Sequence, residues 1–276
     1  MTDKLRALAA LALTSVLWLG AAGTAVTLLS GCAATGGVAN ASGDIVTDSD
    51  EPESRKRARL RLELAAAYLD KGQTTDALDH VKQSIAADPN MADAYSMRGL
   101  IYMRMNEMGL AEESFKRALS LNPRSASVQH NYGWLMCQTK RYAESAQMFS
   151  SALANPTYGE RAKTWMAQGL CQQRAGERAE AEASLMRAYE LDAGNPIVAY
   201  NLSLMLFQRG DLVRAQFYVR RLNNSELANS ESLWLGIKVE RRLGNREAMD
   251  QLGAQLKKRF AQSREAAAFE RGAFDE

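Results

Sequence analysis

From about residue 58 onward, apolar and polar positions alternate with a helical period, and the pattern itself recurs. It is clearest over residues 92–125, ADAYSMRGLIYMRMNEMGLAEESFKRALSLNPRS. Gly99 and Tyr102 share one face of a first amphipathic helix, and Ala111, Phe115, Ala118 and Leu119 share one face of a second. Pro123 stops the second helix. Small residues opposite large ones at fixed offsets let two antiparallel helices interlock. The small residue of the first helix recurs as Ala65, Gly99, Gly133, Gly169, Ser203 and Gly236, in steps of 34, 34, 36, 34 and 33. The small residue of the second recurs with the same steps as Ala77, Ala111, Ser145, Ala181, Ala215 and Ala248. Large partners keep pace. Tyr68, Tyr102, Met136, Gln172, Leu206 and Val239 follow the first register, and Val81, Phe115, Phe149, Leu185, Val219 and Leu252 follow the second. Two registers agreeing six times predict a solenoid of helix pairs.

Composition agrees with an all-α chain. Of 276 residues 46% are hydrophobic and 24% charged, prolines number 5, and β-type alternation is absent. The N-terminus has a different character. Lys4 and Arg6 are followed by an uncharged span from Ala7 to Gly31 that ends Leu29-Ser30-Gly31-Cys32. Leucine, two small residues and cysteine resemble the bacterial lipobox, which implies cleavage before Cys32 and lipidation of its thiol. Several acyl chains on one residue suffice for stable anchoring. An uncleaved membrane anchor is the alternative, because the same 25 residues could span a bilayer. Both place the rest of the chain outside the cytoplasmic membrane, and Ala33 and Ala34 after the cysteine favour the outer membrane by analogy. Residues 33 to about 52 are small and polar and predict a flexible tether with a reach of about 20–30 Å. Without residues 1–31 the chain has 32 basic and 31 acidic side chains, a net charge of +1, which argues against a nucleic-acid binder. Its one basic cluster, Arg55, Lys56, Arg57, Arg59 and Arg61, opens the first helix. That cluster reads as a solvated face or as a contact with anionic headgroups.

The ladder resembles the tetratricopeptide repeat, which implies a right-handed superhelical solenoid. The expected organisation is a signal peptide over 1–31 and a lipidated cysteine with tether over 32–54. Six repeats follow over 55–260 (about 58–91, 92–125, 126–161, 162–195, 196–228 and 229–260), then a C-terminal cap and tail over 261–276. Gln172 departs from the large apolar residue expected there, and Asn155-Pro156-Thr157-Tyr158 lengthens the third-to-fourth junction by two residues. Ser263 to Arg271 predicts a short capping helix over the last repeat.

Catalytic chemistry finds little support. The two histidines, His80 and His130, fall on different repeats, and no metal-ligand spacing or glycine-rich phosphate loop is present, so neither a metal nor a cofactor is expected. Cys137 and Cys171 fall at similar heights in the first helices of the third and fourth repeats. In an oxidising compartment they either form a disulfide or remain two buried thiols. In such a solenoid the first helices line a concave groove. The positions expected to face it include Leu62, Leu69, Leu100, Met103, Trp134, Met166, Leu170, Tyr200, Leu204, Phe207, Leu233 and Ile237, with polar rims from Arg104, His130 and Arg174. Some of these apolar side chains would pack on the neighbouring helix. The others would form a trough suited to a protein segment better than to a small molecule.

Lipobox, tether and six repeats together resemble the type IV pilus biogenesis and stability lipoproteins, the secretin pilotins of the PilF/PilW family. Further residues carry that resemblance. They are Asn131-Tyr132-Gly133-Trp134 with Cys137, Asn155-Pro156-Thr157-Tyr158 with Gly169-Leu170-Cys171, and Glu231-Ser232-Leu233-Trp234-Leu235-Gly236-Ile237 with Arg242-Leu243-Gly244-Asn245-Arg246. The resemblance implies a monomeric, non-enzymatic lipoprotein anchored in the outer membrane and facing the periplasm. Its groove would bind the pilus secretin and promote secretin localisation and multimerisation. A lipoprotein scaffold for β-barrel assembly or peptidoglycan synthesis is the alternative.

Overall fold

A computed structural model describes residues 51–274. The lipobox with Cys32, the span before it and nearly all of the proposed tether lie outside those residues. The described residues form thirteen helices and no strand. Twelve of them make six antiparallel pairs: α1 (Glu53–Asp70) with α2 (Thr74–Ala87), α3 (Ala92–Arg104) with α4 (Met108–Leu121), and α5 (Ala126–Gln138) with α6 (Tyr142–Leu153). Then come α7 (Arg161–Ala175) with α8 (Arg178–Leu191), α9 (Pro196–Arg209) with α10 (Leu212–Asn223), and α11 (Ser230–Arg242) with α12 (Arg246–Arg259). The thirteenth, α13 (Arg264–Arg271), is the expected cap. The first helix starts at Glu53, two residues inside the segment expected to be tether, because Pro52 supplies a preset turn from which the helix can run.

Each pair closes on one contact that recurs sixteen residues apart. A Cβ on Gly99 would lie 2.6 Å from the Phe115 ring, and one on Gly169 would lie 2.7 Å from Leu185. Gly133 is somewhat less tight against Phe149, at 3.0 Å. Where the partner is only a valine (Val81 or Val219), the first helix carries Ala65 or Ser203 instead. Both members of these pairs are buried. The Ser203 hydroxyl, like that of Ser145, is satisfied by a carbonyl of the facing helix, Ala215 O at 2.9 Å and Gly133 O at 2.8 Å. Gln172, the polar departure, accepts a 2.7 Å hydrogen bond from Ser184 Oγ, so its amide is answered inside the pair.

The turn within each pair shows a third register. One residue there has φ between 62° and 88° in every repeat: Gly72, Asn106, Lys140, Gly176, Gly210 and Gly244. Between pairs, each second helix packs on the following first helix. First helices also touch each other, α1 with α3, α3 with α5, α5 with α7 and α9 with α11. Second helices make no comparable contact with one another among the described residues. The stack therefore bends with its first helices on the inner side.

The longest connection runs over residues 154–160, where two extra residues were expected. Asn155 Oδ1 accepts from the amide and hydroxyl of Thr157, and the Arg161 guanidinium donates to Leu153 O. Beside this junction a disulfide joins Cys137 of α5 to Cys171 of α7, with their Cα atoms 5.7 Å apart. At the C-terminal end α13 is capped by Ser263, whose hydroxyl accepts from Ala266 N at 3.1 Å. It lays Phe269 into the space left by Gly253 of α12 and covers Leu233, Ile237 and Leu256. The Trp234 and Phe274 rings stack at 5.5 Å.

Candidate functional site: the inner face of the solenoid

Ten of the apolar residues expected on the concave face are half-buried: Leu62, Leu69, Leu100, Met103, Trp134, Met166, Leu170, Tyr200, Leu204 and Phe207. Most pack one side against the core of their own or a neighbouring repeat. Arg104 and Arg174 are exposed, as rim positions should be.

Three expectations need correction. Leu233 and Ile237 are fully buried, because α13 covers the last first helix and removes it from the open groove. His130 is not a rim residue. Its ring is only 6% exposed, is tilted onto Phe149, and exchanges a 2.8 Å hydrogen bond with Thr164 Oγ1 of the next repeat. Tyr158 from the long junction bonds the same hydroxyl at 3.0 Å. Burial pushes the imidazole down to about 4, with Lys163 adding to the effect and Glu160 opposing it. The ring is therefore neutral at pH 7 and ties the junction to the solenoid.

Cations sit on the inner aromatic rings. The Arg174 guanidinium of α7 lies 5.0 Å from the centroid of Trp134 in α5, and that of Arg242 in α11 lies 5.2 Å from Phe207 in α9. Both contacts bridge neighbouring first helices, and the second repeats the first two repeats further on. Lys238 lies over Trp234 at 5.5 Å. An open cavity of about 400 Å³ lies between α9, α11 and α13, lined by Tyr200, Leu204, Trp234, Lys238, Glu231 and Arg264 among others. Arg242, Lys238 and Trp234 went unnoticed as groove residues in the sequence. Arg242 stands one place beyond the register that Arg104 and Arg174 share.

Other ionic groups are engaged in joining repeats. Glu112 of α4 accepts from Tyr132 at 2.9 Å and from Arg141 at 2.9 Å, and pairs with Lys116 at 3.0 Å. Burial would raise this carboxyl, but the three donors outweigh it and hold it at about 2. Glu240 is wholly buried and meets Arg220 at 2.6 Å, Gln216 at 2.8 Å and Asn245 at 3.1 Å. In the basic cluster of α1, Arg55 pairs with Asp88, Lys56 with Glu53 and Arg59 with Glu51. Among the described residues no group of three or more His, Cys, Asp or Glu side chains is placed to hold a metal ion, and no helix is long and apolar enough to cross a membrane. Along the inner face apolar positions recur, with guanidinium groups beside them.

Known proteins match on both sequence and shape. Tetratricopeptide repeat models match residues 92–125 and 162–195. The type IV pilus assembly protein PilF of Pseudomonas aeruginosa is 27% identical over 242 residues, 88% of this chain and 93% of its own. The solved structure of P. aeruginosa PilF superposes with a TM-score of 0.71 at 26% identity, covering 80% of this chain and all of that one. The crystal structure of PilW, a type IV pilus biogenesis factor, gives a TM-score of 0.69 at 30% identity, covering 77% of this chain and 97% of that one. With its six-repeat ladder and these matches along nearly the whole of both relatives, the chain belongs to the tetratricopeptide-repeat proteins of type IV pilus biogenesis.

Proposed function

We propose that this protein is an outer-membrane lipoprotein that faces the periplasm and assists assembly of the type IV pilus secretin. The observation that carries this reading is the match to a type IV pilus assembly protein over 93% of that protein's length. Cys32 takes the lipid, on the strength of the Leu29-Ser30-Gly31-Cys32 sequence. The inner face of the solenoid holds a segment of a secretin subunit, so lipid sorting moves the two together. Confinement to one membrane then raises the local concentration of subunits and favours ring formation. The protein works by binding, as a monomer, and not by catalysis.

Deleting the gene tests this. Heat-stable secretin multimers and surface pili should disappear while bulk outer-membrane protein assembly continues. Normal multimers with normal twitching would refute the role. A Cys32→Ala chain should stay folded yet leave the outer-membrane fraction, and unchanged fractionation would refute the anchor.

A further inference from the structure

The near-zero net charge conceals an uneven distribution. The six first helices hold 14 basic and 6 acidic residues, a net of +8, whereas the six second helices hold 12 basic and 10 acidic, a net of +2. Within the first four repeats the contrast is sharper, +6 on the first helices against −3 on the second. Along the middle of the inner face, α5, α7 and α9 contain no carboxylate at all. Helix dipoles favour cations in the last turn of any helix, inner or outer. Four of the six first helices (α3, α7, α9 and α11) carry arginine in the last turn, whereas two of the six second helices (α10 and α12) carry basic residues there. Last-turn cations are therefore commoner on the inner helices, and in the first four repeats they occur on inner helices alone.

Some of these cations are already engaged elsewhere: Arg209 pairs with Glu182 and Asp211, Lys163 with Glu160, and Arg161 with a junction carbonyl. Arg174 and Arg242 instead lie over the rings of Trp134 and Phe207, bridging neighbouring first helices. A cation–π contact uses the guanidinium's face and leaves N–H donors at its edge open to a carboxylate. Between these two sites stand Leu170 and Leu204, one apolar side chain in each successive first helix.

We infer that the inner face selects an acidic polypeptide segment, one whose apolar side chains meet Leu170 and Leu204 while its carboxylates meet Arg174 and Arg242. A lipid headgroup fits less well, since it needs one confined site and the apolar positions here are spread repeat by repeat. The inference rests on the groove being the binding surface of the proposed function, and it adds the chemistry of the segment that binds.

The test uses the purified protein and two synthetic sixteen-residue amphipathic peptides with the same leucine positions. One carries glutamate and the other lysine at the polar positions. The glutamate peptide should bind roughly tenfold tighter or better, and weaken as salt is raised. Arg174→Glu with Arg242→Glu should lower its affinity at least roughly tenfold, while Glu144→Lys on an outer helix should leave it unchanged. Should the double reversal not fold, Arg174→Gln with Arg242→Gln removes the same charges and keeps a polar, unbranched side chain. Equal binding of the two peptides, or an affinity indifferent to the arginine substitutions, overturns the inference. The periplasmic part of the secretin is run in parallel. Secretin binding that ignores salt and both arginines defeats the acidic-segment inference and leaves the secretin role standing. Selective binding of the glutamate peptide with none to secretin does the reverse.

Discussion

Single residues set how closely the helices of each repeat approach. Gly99 faces Phe115 and Ala65 faces Val81, the same contact built from two different volumes. Gly99→Ala would push a methyl group into the Phe115 ring and should cost about 1–3 kcal/mol. Phe115→Val alone should cost a similar amount by opening a cavity. The double substitution recreates the first repeat's pair, so it should cost less than the sum of the two. Chemical denaturation of all four proteins measures the coupling, and strict additivity would show that the two residues do not compensate. The left-handed turn position makes a second case. Lys140, with φ at 62°, stands where four other repeats have glycine. Lys140→Gly relieves more Cβ strain than the added freedom of the unfolded chain costs, and should raise stability by about 0.5–1 kcal/mol. A lowered melting temperature would contradict that balance. The spacing of small and large residues was legible in the sequence because volume is written in residue type. The turn register was not, since Asn106 and Lys140 hide a backbone requirement that only the φ angles expose.

At the scale of elements, the helices were foreseeable and the junctions only partly so. Six helix pairs repeat at the spacing of the two registers, although α1 begins two residues early, and the cap follows from Ser263 and the apolar face behind it. What sequence spacing could not show is which side chains a longer junction would draw in. The extra residues before α7 bring Tyr158 to Thr164, and Thr164 to His130, so a residue expected on the groove rim serves the junction instead. That burial has a consequence for pH. Folded His130 titrates at about 4 against an ordinary 6.5, so between those values the unfolded chain binds more protons than the folded one. Its contribution is complete above pH 6.5 and is lost as pH falls toward 4, a difference of about 3 kcal/mol. Carboxylates also begin to titrate near pH 4, so the informative comparison is with His130→Gln, which retains a hydrogen-bonding group and cannot charge. The wild-type protein should lose more stability than the variant between pH 7 and 4, and parallel curves would mean the ring is not buried neutral.

For the molecule as a whole, a solenoid has contacts only between neighbours, so its stability is a sum along the stack and a local weakness stays local. The ends differ from the middle. The α13 helix closes one end over Leu233 and Leu256, whereas at the other end Leu60 and Leu64 of α1 stand exposed. The middle has the longest junction and, beside it, the disulfide between Cys137 and Cys171, which closes a loop with a sequence separation of 34. A loop of that length contributes roughly 3–4 kcal/mol on the chain-entropy view. The bond falls between the third and fourth repeats, where the long junction would otherwise let the two halves of the stack open. Reducing it should therefore not weaken all repeats alike. Native-state hydrogen exchange, compared between the oxidised protein and its Cys137→Ala, Cys171→Ala form, should show the greatest loss of protection in α5 to α8. The loss should fade toward α1 and α2 at one end and α12 and α13 at the other. The same substitutions should leave the Arg174–Trp134 contact in place only while α5 and α7 stay docked, so peptide binding at that site should weaken with α7 protection. A uniform loss of protection from end to end would mean that the array unfolds as one unit, with the disulfide serving the whole stack and not its central seam.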